Sequence, residues 1–348
     1  MINSILKLLL TTVILTVFSC KNYQSLDAYL EEMHQNGKLN GNILVVKNDS
    51  IIINSSFGYI DGSKNSELTP DYRFNIGSIY KEFPAVAIMQ LQEQGKLQLS
   101  HSLNTYIKEL PKWSEEITIL HLLQYTSGLP KVDWNKYFEN DIKLTDDKIW
   151  KDLLNVGALQ FEPGTDYIYT NYSPILLMKI VERISGLSFK DFANRHLFIP
   201  SEMKSIVLKN NFPYENKDLM AIPFDENFKE DAYRMSTKNL LFLASTKDLY
   251  QWLKTLHQGK IINRNSLKKL SEEYDGFGNI SAPIGYCEWQ DDQVIEHSHH
   301  GSSVNYEGIV RYFPDEDLYI VVLTNQKHGN VREISDELRT IVNKKTNR

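Results

Sequence analysis

Phe74-Asn75-Ile76-Gly77-Ser78-Ile79-Tyr80-Lys81 joins a short β-type run and a glycine to a Ser-x-x-Lys tetrad that opens a helical pattern. The pattern runs from Ser78 to about Gln94, with Ile79, Phe83, Val86, Met89 and Leu91 at roughly helical spacing and Gly95 as its stop. Residues three apart share a helix face, so the Lys81 amine can reach the Ser78 hydroxyl. Serine is a weak nucleophile until a base takes its proton. A lysine serves as that base only when neutral, a state that burial or neighbouring cations produce. The free backbone N–H of Ser78 at a helix start also suits a developing oxyanion. Pro84 lies inside the pattern, removes one amide donor and predicts a kink.

The tetrad recurs at Ser4/Lys7, Ser201/Lys204 and Ser266/Lys269, but only Ser78/Lys81 follows a strand and a glycine. Tyr169-Thr170-Asn171 comes after the turn Phe161-Glu162-Pro163-Gly164 and before a helix. A tyrosine held there can relay or accept the serine proton, and the Asn171 amide can orient substrate and lysine. The plainer alternative is a turn tyrosine packed on the core, and Tyr214-Glu215-Asn216 has the same short pattern. His299-His300-Gly301 closes the run Val294 to His299. On a strand, His297 and His299 face one side and His300 the other. Gly301 allows close backbone approach, and the Ser302 amide can complete an oxyanion hole. His257-Gln258-Gly259 and Lys327-His328-Gly329 fit the same pattern but read as a helix cap and a loop.

Farther out, Asn42 to Lys47 and Ile51 to Phe57 read as a hairpin around Asn-Asp-Ser. Helices are expected from about Ile117 to Tyr125, from Ser173 to Ile184, from Ser245-Thr246 to Gly259, and from about Val331 to Val342. Strands are expected at Ile284 to Trp289, Val294 to His299, Gly308 to Phe313 and Leu318 to Thr324. Strands at both ends with helices between predict an α/β (α+β) fold: an antiparallel sheet flanked by helices, built from both chain ends, with an inserted, mostly helical subdomain. The sheet part spans about 28–95 and 245–343, the helical subdomain about 96–244, and 344–348 is a tail.

The 348 residues are 42% hydrophobic and 24% charged, with a net charge of −6 and scattered Lys and Arg, which excludes a nucleic-acid footprint. Lys7 precedes the apolar run Leu8 to Phe18, shorter than the ~20 residues a membrane span needs. The run ends in Val17-Phe18-Ser19-Cys20, so residues 1–19 read as a lipoprotein-type signal peptide, Cys20 as the lipidated residue, and 20–27 as a linker. The expected location is exported, on the periplasmic or cell-surface side of a bacterial membrane. Cys287 is then the remaining thiol, so no intrachain disulfide or Cys/Cys/His zinc cluster is possible.

Taken in order, the Ser78, Tyr169 and His299 elements resemble the serine β-lactamase and penicillin-binding-protein superfamily. The resemblance is to its class C-like branch: class C β-lactamases, DD-carboxypeptidases, D-aminopeptidases and β-lactamase-fold esterases. Gly41 to Val46, Leu91 to Leu97, Leu122 to Leu129, Phe161 to Thr165, Ser245 to Leu249 and Val321 to Asn325 extend it over nearly all of residues 28–343. It implies an acyl-enzyme on Ser78, base and acid roles shared by Lys81 and Tyr169, substrate positioned by Asn171, and an oxyanion held by the amides of Ser78 and Ser302. No metal or cofactor is implied; the partners are a small-molecule or peptide substrate and, through Cys20, a membrane. Oligomeric state is not readable. The β-lactamases of the family usually carry Lys-Thr-Gly at the third motif, where a cation and a hydroxyl help bind the drug's carboxylate. Here His299 and His300 stand in those places, with Ser302 and Ser303 as the nearest hydroxyls. The substrate stays open among a D-alanyl peptide, a D-amino-acid amide, a small ester and a β-lactam. Two rival readings are a zinc hydrolase using His297, His299 and His300, against which exposed strand histidines are the simpler account, and an inert ligand sensor or cell-wall binding module. There is no Gly-x-Ser-x-Gly elbow; Gly301-Ser302-Ser303-Val304-Asn305 misses at its last position.

Overall fold

Residues 41–47 pair antiparallel with residues 318–324, Gly41 opposite Thr324 and Lys47 opposite Leu318, so the two chain ends form the middle of one sheet. The computed structural model describes residue 23, residues 25–272 and residues 283–346. The leader and Cys20 lie outside the described residues. The strands are β1 (Gly41–Lys47), β2 (Ser50–Phe57), β3 (Phe74–Asn75), β4 (Leu144–Thr145), β5 (Val207–Phe212), β6 (Met235–Ala244), β7 (Tyr286–Gln290), β8 (Gln293–Ser303), β9 (Tyr306–Phe313) and β10 (Leu318–Thr324). The larger sheet runs in the order β2-β1-β10-β9-β8-β7, every pair antiparallel. The β1–β2 hairpin turns on Asn48 and Asp49, both at positive φ, as a two-residue turn requires.

Both faces of the central strands β1, β10 and β9 are buried, which explains the nearly continuous apolar runs of β1 and β10. Ile43, Val45, Ile309, Ile320 and Val322 pack under the helices Leu26–Gln35 and Val331–Thr346. The alternating residues Leu44, Val46, Val310, Val321 and Leu323 face the helix Glu82–Glu93 and the rest of the chain. The helix Leu26–Gln35 begins inside the stretch expected to be a linker, because Leu26, Tyr29, Leu30 and Met33 are all core residues.

The mostly helical middle of the chain also carries β4, β5 and β6, and β6 forms a second sheet with β3, β4 and β5. Two further expectations are corrected. The His299-His300-Gly301 motif does not close a strand but lies inside β8, which continues to Ser303. Pro84 makes no kink, since Gly77–Lys81 is a 3-10 turn and the α-helix starts at Glu82. The proline then sits in the first α-turn, where an amide has no intrahelical partner to lose.

The helix Thr246–His257 carries two residues of the site and is fixed at its start by Asp248. That buried carboxylate accepts from Ser245 N (3.0 Å), Ser245 Oγ (2.9 Å) and Ser205 N (3.0 Å), closing a capping box and tying the helix to a distant loop. Asp248→Ala should cost about 2–4 kcal/mol, a lost cap plus stranded buried donors, as measured by urea unfolding.

Candidate functional site

Gly301 and Gly308 face each other across β8 and β9 and leave a floor free of side chains. The turn after β3 rests on it: a Cβ on Gly301 would lie 2.1 Å from the Ile76 carbonyl and 2.9 Å from Ser78 N. From the other side, a Cβ on Gly77 would lie 2.4 Å from Ser302 N. Gly77 has φ +52°, a conformation further held by its N–H donating to Asn75 Oδ1 at 3.0 Å. The amides of Ser78 and Ser302, expected to share an oxyanion, therefore lie beside one another across backbone contact.

Ser78 is partly exposed, and its Oγ lies 2.8 Å from Lys81 Nζ and 3.0 Å from Tyr169 OH. The structure thus brings Tyr169 to the Ser78–Lys81 pair across the 91 positions that separate it from Ser78. Lys81 is 3% exposed, and burial pulls its amine down from 10.5 to about 7. Its Nζ also lies 4.8 Å from the centre of the Tyr169 ring. Burial pushes the Tyr169 phenol up to about 12, against the lowering effect of its Ser78 hydrogen bond. Near neutral pH, a large share of Lys81 is a free amine able to accept the Ser78 proton, while Tyr169 remains a donor.

Tyr169 is held by the Tyr125 ring at a centroid distance of 4.8 Å, and Thr170 Oγ1 donates to Pro130 O at 2.7 Å. Asn171 starts the helix Tyr172–Ser185, partly exposed, and makes no capping hydrogen bond with its side chain. The two other tetrads among the described residues are not assembled this way. Ser201 is fully buried, Ser266 Oγ donates to Glu93 Oε1 at 2.5 Å, and Ser4/Lys7 lies outside the described residues. Tyr214 is buried with its hydroxyl 3.3 Å from that of Tyr306.

The histidine cluster corrects the expectation of exposed strand side chains. His297 and His299 are 0% and 6% exposed, because both turn inward onto Glu82. His299 Nδ1 lies 2.7 Å and His297 Nε2 3.5 Å from Glu82 Oε1. His300 faces away and lies 2.9 Å from Glu307 Oε1. Among the described residues no group of three or more His, Cys, Asp or Glu side chains is placed to hold a metal ion. Burial pushes the His299 ring below its ordinary value, only partly opposed by Glu82. Glu82 itself, although burial raises it, is held low by His297 and His299. The sequence reading missed Glu82, Trp252 and Tyr125. The available signal was a carboxylate directly after Lys81 in an otherwise apolar run.

The Beta-lactamase family model matches residues 26–342. The protein named "Putative penicillin-binding protein PbpX" of Bacillus subtilis (strain 168) is 25% identical over 330 residues, covering 92% of this chain and 78% of that protein. A penicillin-binding protein structure from Bacillus halodurans superposes with a TM-score of 0.77 at 23% identity, covering 90% of this chain and 99% of the other. A class C β-lactamase structure gives a TM-score of 0.72 at 18% identity, covering 91% and 94%. These superpositions show a shared mixed fold, an antiparallel sheet with flanking helices.

Burying Lys81 costs stability in a way that pH reveals. Between about 7 and 10.5 the unfolded chain holds a proton on this amine that the folded chain has released, so its burial weighs less as pH rises. Lys81→Met should therefore raise the melting temperature by about 5 °C near pH 7. The gain should shrink toward zero by pH 10, as read by calorimetry on both proteins.

Proposed function

The chain belongs to the beta-lactamase family, and from that premise we propose that it is a serine hydrolase that passes the acyl group of a small amide, D-peptide or ester through Ser78 to water. The observation that carries this reading is the convergence of Lys81 Nζ and Tyr169 OH on Ser78 Oγ, at 2.8 and 3.0 Å. In the free-amine state, Lys81 accepts the Ser78 proton as Oγ attacks the substrate carbonyl. The carbonyl oxygen becomes an oxyanion held by the Ser78 and Ser302 amides. Tyr169 gives its proton to the leaving amine or alkoxide and regains one from protonated Lys81. Water then attacks the Ser78 ester, the same groups take its proton, and Ser78 is restored. Asn171 is assigned to substrate orientation.

Third-motif chemistry narrows the substrate. A histidine kept neutral by burial supplies no fixed cation for a carboxylate, and the loss of one charge-assisted hydrogen bond is worth about 1.5–3 kcal/mol. Short neutral esters and amides lose nothing by the change. Purified protein should take up a fluorophosphonate at Ser78, and Ser78→Ala should take up none. Tyr169→Phe should slow acylation ~10²–10⁴-fold. Short-chain nitrophenyl esters should show a higher kcat/KM than nitrocefin. An adduct at Ser201 or Ser266 would overturn the assignment, and no adduct anywhere would favour the inert binding module.

We also infer from Val17-Phe18-Ser19-Cys20 that the protein is exported and anchored through Cys20. Among the described residues no helix is long and apolar enough to cross a membrane. Mass spectrometry of the membrane fraction should find an acylated N-terminal Cys20. Cys20→Ser should release the protein or leave its leader uncleaved, whereas an unlipidated N-terminus elsewhere would remove the anchor.

A further inference from the structure

Directly behind the Ser78 cluster lies a carboxylate with no solvent contact, Glu82, at 0% exposure. Trp252 Nε1 donates to its Oε2 at 2.6 Å, and the Trp252 ring is packed edge-on against Phe83 at 4.9 Å. The hydrogens on the neighbouring histidines follow from what each partner can do. An ionised carboxylate only accepts, so His299 Nδ1, 2.7 Å from Oε1, carries a hydrogen. A peptide carbonyl also only accepts, so His297 Nε2, 2.7 Å from Ile284 O, carries one too. His297 Nδ1 and His257 Nε2, 2.8 Å apart, share a single hydrogen between them. Every hydrogen in the row His257, His297, Glu82, His299 points toward the carboxylate, a backbone carbonyl or the next ring.

His299 ends that row. Its Nδ1 is engaged, its side chain is 8% exposed, and Nε2 has no hydrogen-bond partner among the described residues. Lys81 lies close enough to bear on the charge of the ring. A neutral imidazole with hydrogen on Nδ1 presents a lone pair at Nε2.

We propose that Glu82 is a positioning residue for substrate choice: it fixes His299 as the neutral Nδ1–H tautomer, so that this strand position offers a hydrogen-bond acceptor to the substrate, complementary to an amide N–H or ammonium group and opposed to a carboxylate. The proposal rests on the reading of Ser78 as an acyl-transfer site and adds to it the chemistry of the substrate's far end. The nearby buried anion acts in the same direction, since it raises the cost of bringing a second negative charge to the site.

Two measurements on the wild-type protein test this. Long-range proton–nitrogen NMR on histidine-labelled protein, with the signal assigned by its loss in His299→Gln, should show hydrogen on Nδ1 alone at neutral pH. Among nitrophenyl hexanoate, 6-acetamidohexanoate and monoadipate, kcat/KM for the acetamido ester should exceed that for the monoadipate at least tenfold. In Glu82→Gln, the glutamine oxygen can keep the Trp252 bond while its NH₂ donates to His299 Nδ1. The ring should then carry its hydrogen on Nε2, and the monoadipate-to-acetamido ratio should rise about tenfold. A wild-type His299 with hydrogen on Nε2, or doubly protonated, overturns the proposal. So does an Nε2–H ring in Glu82→Gln with an unchanged ratio, or a wild-type preference for the monoadipate. If none of the three esters is turned over, the acyl-transfer reading fails, and the NMR result still decides whether Glu82 sets the tautomer.

Discussion

Backbone lies against backbone where the turn Ile76–Ile79 rests on β8, and everything else in the site is arranged around that contact. The approach leaves no room for a Cβ at Gly77 or at Gly301. It sets the amide of Ser78 beside that of Ser302 and fixes where the helix Glu82–Glu93 departs from the sheet. The direction of that helix in turn carries Lys81 and Glu82 inward. A side chain at either glycine would lift the turn off the sheet and part the two amides together with the serine.

Lys81 and Glu82 are adjacent, both buried, and differ in how their charge is handled. The amine has aromatic rings and a serine hydroxyl near it, no carboxylate partner among the described residues, and burial brings it close to neutrality. The carboxylate has an indole N–H and two imidazoles around it and stays ionised in a drier place. Burial alone would neutralise both groups, so the supply of donors decides which one keeps its charge. The arrangement holds a lysine amine beside the partly exposed Ser78 without, among the described residues, an ion pair that would keep it protonated.

Local chemistry was legible in the sequence. Ser78 and Lys81 are one turn apart, and the glycine lead-in separated them from three other tetrads. Tyr169 was legible through its turn-then-helix setting, and the terminal strands through their unbroken apolar runs. What the sequence hid was tertiary. Glu82 meets Trp252 across 170 positions and His299 across 217, and no spacing rule joins them. β6 escaped notice because Met235–Ala244 passes from a polar half to an unbroken apolar half without period-2 alternation, and two of its partners, β3 and β4, are only two residues long. Pro84 was misread because a 3-10 turn and an α-helix share one apolar pattern, and the boundary between them is set by the packing of the turn on β8.

The pairing of β1 with β10 also orders events during synthesis. β1 is made early, but one of its two neighbours in the finished sheet, β10, is the last strand among the described residues. Until Leu318–Thr324 has been made, Ile43 and Val45 lack both that strand and the closing helix that covers them. Contacts between such distant segments form late and slowly. Incomplete chains therefore hold the middle of the sheet open, and a ribosome-bound or truncated chain presents an apolar strand edge that chaperones can engage. The floor on which Ser78 rests, Gly301 beside Gly308, lies in β8 and β9, so the nucleophile waits for most of the chain before it has a seat.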